Sequence, residues 1–344
     1  MKKEAIQKRN SSIELLRILL MLMIILSHYS VHGNFMIQNL PFSFNKILLY
    51  LSVLGNLGVD IFVLISGYYL SNKNFKISKL LKLLFEITSY SLIIYLIFMI
   101  LGKVPFSLTL LKKAMLPTIY NEYWFATTYV ILYLLSPFIN KLINALNRKE
   151  YSNLLLITSI IWIAIPSILN ETMYTSPVIQ FLLLYLIGGY LRKYPNCYLL
   201  KKTKITTLLT ITSTSIIIIK IIINCHKEII DYTFLQRDSI FIIIIALGIF
   251  IFFLNKKFYN KIINKISSCV FGIYLFHDHD YIRNFLWLDL FKNAQYKNSQ
   301  FLIIHLLISV ILVFILGSII EIIRKKLLQK AFDKSIDKYM KTSE

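Results

Sequence analysis

"IELLRILLMLMIILSHYSVHG", residues 13–33, is apolar enough to cross a membrane, yet it carries Glu14 and Arg17 near one end and His28 near the other. Arg17 and His28 are eleven residues apart. At about 100° per residue they fall within about 20° of one helix face, about 16 Å apart along the axis. Glu14 precedes Arg17 by three residues, on the same side and within ion-pair reach. Arg17 alone reads as well as a side chain snorkelling to the headgroups. His28 alone reads as a hydrogen-bonded residue near an interface. As one stripe they are less ordinary, because ionisable groups inside spans face cavities and mark pathways.

The rest of the chain fits a membrane setting. Of 344 residues, 57% are hydrophobic and 16% charged, with a mean hydropathy of +0.65; soluble domains run about 45–50% and about 25%. Apolar runs at 13–31, 47–70, 83–101, 123–140, 154–169, 177–191, 205–223, 237–254, 269–287 and 300–323 predict an all-α bundle of about ten transmembrane helices. With the N-terminus inside, the inner segments hold 27 Lys and Arg, against about nine outside, which predicts cytoplasmic termini. The net charge of +21 then reports orientation and contact with an anionic leaflet. No basic, aromatic-interleaved soluble module is present, so nucleic acid is not an expected partner. The expected organisation is a basic tail over 1–12, a membrane domain over 13–323 and a basic tail over 324–344, the last an interfacial amphipathic helix. The first run lacks a small-residue cleavage site, so it reads as a retained helix. Cys197, Cys225 and Cys269 show no metal spacing and predict no bridge.

The second span repeats the pattern of the first. "GNLGVDIFVLISGYYL", residues 55–70, buries Asp60 in an apolar run. An isolated carboxylate there needs a cation, a proton or an interhelical hydrogen bond. Gly55, Gly58 and Gly67 allow close helix approach, which is packing. "FHDHD", 276–280, puts His277 and Asp280 on one face. A metal site needs three or four converging ligands, so no metal is expected there. Glu86 is expected to neutralise a lysine of the preceding connection.

These segments together resemble the integral-membrane acyltransferase 3 proteins, which O-acylate cell-surface polysaccharides. The family's first helix reads acidic–x–x–Arg, then ten residues, then His, as Glu14, Arg17 and His28 do here. "GVDIFVLISGYYL" (58–70) resembles the second helix, and the basic connection carries Lys76, Lys79 and Lys82 where relatives more often have arginines. Trp124–Phe125 opens the fourth helix, "FLLLYLIGGYLRKY" (181–194) matches the sixth, and "SSCVFGIYLFHDH" (267–279) a late one. Glu122 stands where many members have histidine, so that histidine's role does not carry over.

The resemblance implies an enzyme of the bacterial plasma membrane that moves an acyl group, usually acetyl, from cytoplasmic acyl-CoA to a sugar hydroxyl. No bound cofactor is expected, acyl-CoA being a substrate. Arg17, paired with Glu14, and Lys76, Lys79 and Lys82 would receive the donor's phosphates. His28 would be general base or brief acyl carrier, with Asp60 tuning or orienting a partner. Tyr68, Trp124 and His277 would line a cleft for a glycan or lipid-linked oligosaccharide; Tyr120, Tyr123 and Tyr129 could line it with Trp124, and an aromatic belt at the outer interface explains these four as well. The competing reading is a transporter or flippase of a lipid-linked saccharide, which uses the charges as a path and needs no acyl donor.

Overall fold

The first helix starts because Asn10 caps it: its side chain accepts from the Ser12 amide at 3.1 Å. In a computed structural model describing residues 9–169, 176–229 and 233–342, α1 runs Ser11–Val31. Most of the expected N-terminal tail lies outside the described residues. Next come α2 (Phe44–Leu70), α3 (Ile77–Ile100), the short α4 (Leu108–Met115) and α5 (Trp124–Ala145). These are followed by α6 (Arg148–Leu169), α7 (Pro177–Lys193), α8 (Thr203–Lys227) and α9 (Ile240–Leu254). Two short helices, α10 (Lys261–Ser267) and α11 (Val270–His277), precede α12 (Leu302–Ile336). The described residues contain no strand.

Among the described residues, eight helices are long and apolar enough to cross a bilayer: α1, α2, α3, α5, α6, α8, α9 with its lead-in, and α12. The expected span at 177–191 is helical too, but α7 has only 17 residues. The expected span at 269–287 is broken. It stops at His277, and the His279 side chain accepts from the Tyr281 amide to start a separate turn over Asp280–Asn284. The cause is local: the His279 side chain takes the Tyr281 amide, and Asp278 and Asp280 both turn to Arg283 where an apolar helix would continue.

The two helices that carried the unusual polar residues are the interior ones. In α1 and α2, 56% and 61% of the apolar window is buried, against 17% in α6 and 28% in α8. α1 packs against α2, α9, α10, α11 and α12. Its start is tied to the α9–α10 connection by Ser11 N–H donating to the Phe258 carbonyl at 2.9 Å, and to the end of α9 by the Ser12 hydroxyl donating to the Phe253 carbonyl at 2.7 Å. α2 and α7 touch backbone to backbone: a Cβ on Gly67 would lie 2.4 Å from the Tyr185 carbonyl oxygen. Only a glycine permits that approach.

Charges are buried where α3 meets α12. Glu321 is fully buried, and Arg324 donates to it at 2.8 and 3.0 Å. The Tyr90 hydroxyl donates at 2.8 Å, and Lys325 stands at 3.2 Å. Glu86 joins this group through Arg324 at 3.4 Å, so its partner is an arginine of the far helix and not a lysine of the preceding connection. Removing one member would leave a buried charge unpaired, at about 3–5 kcal/mol. The amphipathic segment after Ile323 is helical, as expected, as the continuation of α12, and it docks on α3: Phe332 stacks on Phe85 at 3.8 Å, and Asp333 meets Lys82 at 3.6 Å.

Candidate functional site

A cavity of about 550 Å³ runs beside α1. Arg9, Arg17, Ser267 and Ser268 line it toward the basic side of the bundle, where α1 begins. His28, Val31 and His32 line it toward the opposite side, with Asn56 of α2. Between them stand apolar and aromatic residues, including Phe62, Phe125 and Tyr129. Arg17 and His28 thus open on one space, which the eleven-residue spacing required for a common face.

At the basic end, Glu14 is buried and serves as an anchor. It accepts the Ser267 hydroxyl at 2.5 Å and pairs with Arg9 at 3.3 Å and Arg17 at 4.0 Å. Glu14 therefore fixes the arginines and ties α10 to α1. Arg17 Nε has no partner among the described residues, so the guanidinium retains unused donors beside the cavity. Lys76 and Lys79 are exposed near the same end, and Lys82 leans on Asp333. None of the three lines the cavity, although their neighbour Leu83 does.

At the opposite end, α10 and α11 run alongside α1 in the same direction, from Ser267 on Glu14 to His277 on His28. His28 Nδ1 lies 3.0 Å from His277 Nε2 and 3.5 Å from Asp278 Oδ1. His277 Nδ1 lies 2.7 Å from the Ile273 carbonyl oxygen. Arg283 reaches Asp278 at 3.5 Å and also grips Asp280. His277 is fully buried behind His28, so it supports that ring and does not face an open cleft. His28, His32 and Asp278 each bring one ligand atom to within 4.8 Å of the others. An ion taken at His28 Nδ1 would have to displace the hydrogen that this nitrogen shares with His277 and Asp278.

Asp60 is fully buried away from this cavity and accepts from Gln180 Nε2 at 3.2 Å. Its other oxygen has no partner among the described residues. Tyr68 sits near the basic side under Arg192, whose guanidinium lies 5.2 Å from its ring. Of the expected cleft residues, Trp124 and Tyr129 line the cavity, one face of Trp124 covered by the Arg237 guanidinium at 4.3 Å.

Sequence reasoning missed Asp278, Arg283, His32 and Ser267. The signals were there for two of them. His32 is one helical turn after His28, and Arg283 breaks an apolar run six residues after His277. Ser267 has no signal, because only the fold brings α10 to α1.

A sequence model of the acyltransferase 3 family, described as an acyltransferase domain, matches residues 10–322. The chain therefore belongs to that family, and it is a multi-pass membrane protein by the length and hydropathy of its helices. No curated protein and no solved structure matches it.

Proposed function

We propose that this acyltransferase carries an acyl group, acetyl first, from acyl-CoA on the basic side to a saccharide hydroxyl on the opposite side. The cationic connections on the basic side support its facing the cytoplasm. One observation carries the reading: Arg17 and His28 share a single cavity. Their separation of about 16 Å along the helix is comparable to an extended pantetheine arm. A CoA phosphate held by Arg17 would put its thioester beside His28.

In the proposed reaction His28 accepts the proton of the acceptor hydroxyl as its oxygen attacks the thioester carbonyl. The carbon–oxygen bond forms, the carbon–sulfur bond breaks, and the proton passes from His28 to the departing thiolate. Arg9 and Ser268, which line the donor end, add contacts for phosphate. Trp124 and Tyr129 offer aromatic faces to the acceptor.

The test is the ester-linked acyl content of the envelope glycan in cells lacking the gene. They are compared with cells complemented by wild type or by His28→Ala at equal membrane levels. Ester restored by wild type alone supports the proposal. Ester content that never changes while glycan export does would replace it with the flippase reading.

A further inference from the structure

The two histidines of the site are coupled through one chain of hydrogen bonds. His277 Nδ1 faces the Ile273 carbonyl oxygen at 2.7 Å. A carbonyl only accepts, so this nitrogen bears the hydrogen. A neutral imidazole has one N–H, which leaves His277 Nε2 with a lone pair. His28 Nδ1 lies 3.0 Å from that lone pair and must donate to it. Asp278 Oδ1, at 3.5 Å, is a second acceptor on the same side. The opposite arrangement would need a cationic His277, fully buried and with Arg283 already held by Asp278 nearby. An added cation there is costly.

We infer that His277 and Asp278 are positioning residues that hold His28 in the Nδ1–H tautomer, so that its Nε2 lone pair is the one turned to the cavity. This rests on the reading of His28 as the base. It adds a role for the broken helix: because α11 stops at His277, Asp278 leaves the helix and turns its carboxylate to His28. Free histidine favours the other tautomer, with the hydrogen on Nε2, and in that form His28 would have no lone pair to offer an acceptor hydroxyl. When His28 takes up a proton, Asp278 stabilises the resulting cation and His277 keeps the ring from swinging. The logic is that of an imidazole oriented by a partner on its far nitrogen.

The experiment is NMR of the full-length protein labelled with ¹⁵N-histidine in lipid nanodiscs, with His28 assigned by the signal lost in His28→Gln. The expected wild-type spectrum has His28 protonated on Nδ1. His277→Phe keeps a ring but removes the acceptor, so it should shift hydrogen to Nε2 and cut transfer at least tenfold. His277→Gln restores an acceptor and should recover both signals in part. A wild-type His28 protonated on Nε2 overturns the inference. So does a folded His277→Phe that keeps the Nδ1 hydrogen and wild-type transfer. The tautomer is read without substrate, so it fails separately from the proposed function. Full transfer by His28→Ala would remove the base while leaving the measured tautomer intact.

Discussion

A methyl group added at Gly55 of α2 would sit 2.1 Å from the Met23 carbonyl oxygen and 2.4 Å from Ser27 Cβ, both on α1. Ordinary contact begins near 3.4 Å. Neither atom can swing aside, because the carbonyl belongs to the helix backbone and the Ser27 hydroxyl already donates to the Val53 carbonyl at 3.3 Å. The two interior helices would therefore have to part by about 1 Å. Overpacking of this kind costs about 1–3 kcal/mol. Ser27 directly precedes His28, so the same shift drags the imidazole from its partners. A displacement near 1 Å in a reacting group costs about a hundredfold in rate, or about 2.7 kcal/mol of barrier. The assay is glycan ester content at matched membrane levels, together with the unfolding midpoint of Gly55→Ala in detergent. We expect both to fall. Gly102→Ala is the control: Gly102 has a φ of +68° with nothing within 4 Å. It should cost about 1 kcal/mol of backbone strain and leave transfer unchanged. A Gly55→Ala protein with wild-type transfer and midpoint would refute the reasoning.

Other substitutions separate the parts of the site. Arg17→Ala should raise the apparent KM for the acyl donor about tenfold or more while kcat falls less, because a charge-assisted contact contributes about 1.5–3 kcal/mol; steady-state kinetics against donor concentration reads this. Ser267→Ala removes the hydroxyl donated to buried Glu14 and should lower stability by a similar about 1.5–3 kcal/mol, seen in the detergent unfolding midpoint. Burial raises the Glu122 carboxyl above its ordinary value, against the opposing pull of Lys113 at 3.9 Å. The unfolded chain ionises first, so this group withdraws stability as pH rises above about 4.3. Glu122→Gln should therefore lessen the loss of unfolding midpoint with rising pH above that value.

The first helix was legible because three ionisable residues stand out in an apolar run, and helical periodicity places two of them on one face. Most spans were legible for the same reason: lipid demands long apolar helices. Periodicity names a face but not the neighbour it meets. His28 and His277 are 249 positions apart, and nothing in either local pattern pairs them. Hydropathy merged 269–287 into one span because Phe285, Leu286, Trp287 and Leu288 restore the apolar average after the polar break. Asp60 was expected to tune or orient a partner that its own run does not name; the packing of α2 on α7 brings it Gln180. Glu86 was matched to the nearest lysines in sequence, whereas Arg324 reaches it across the fold.

A cavity bordered by both sides of the bundle also decides the electrical character of the proposed reaction. The acyl group passes outward as the equivalent of an acyl cation, and the hydroxyl proton passes inward to the thiol. One positive charge leaves and one enters, so no net charge crosses the membrane. Moving an unbalanced charge would exchange about 2.3 kcal/mol per 100 mV with the membrane potential. Here that work cancels, and collapsing the potential across sealed vesicles should leave the transfer equilibrium where it was.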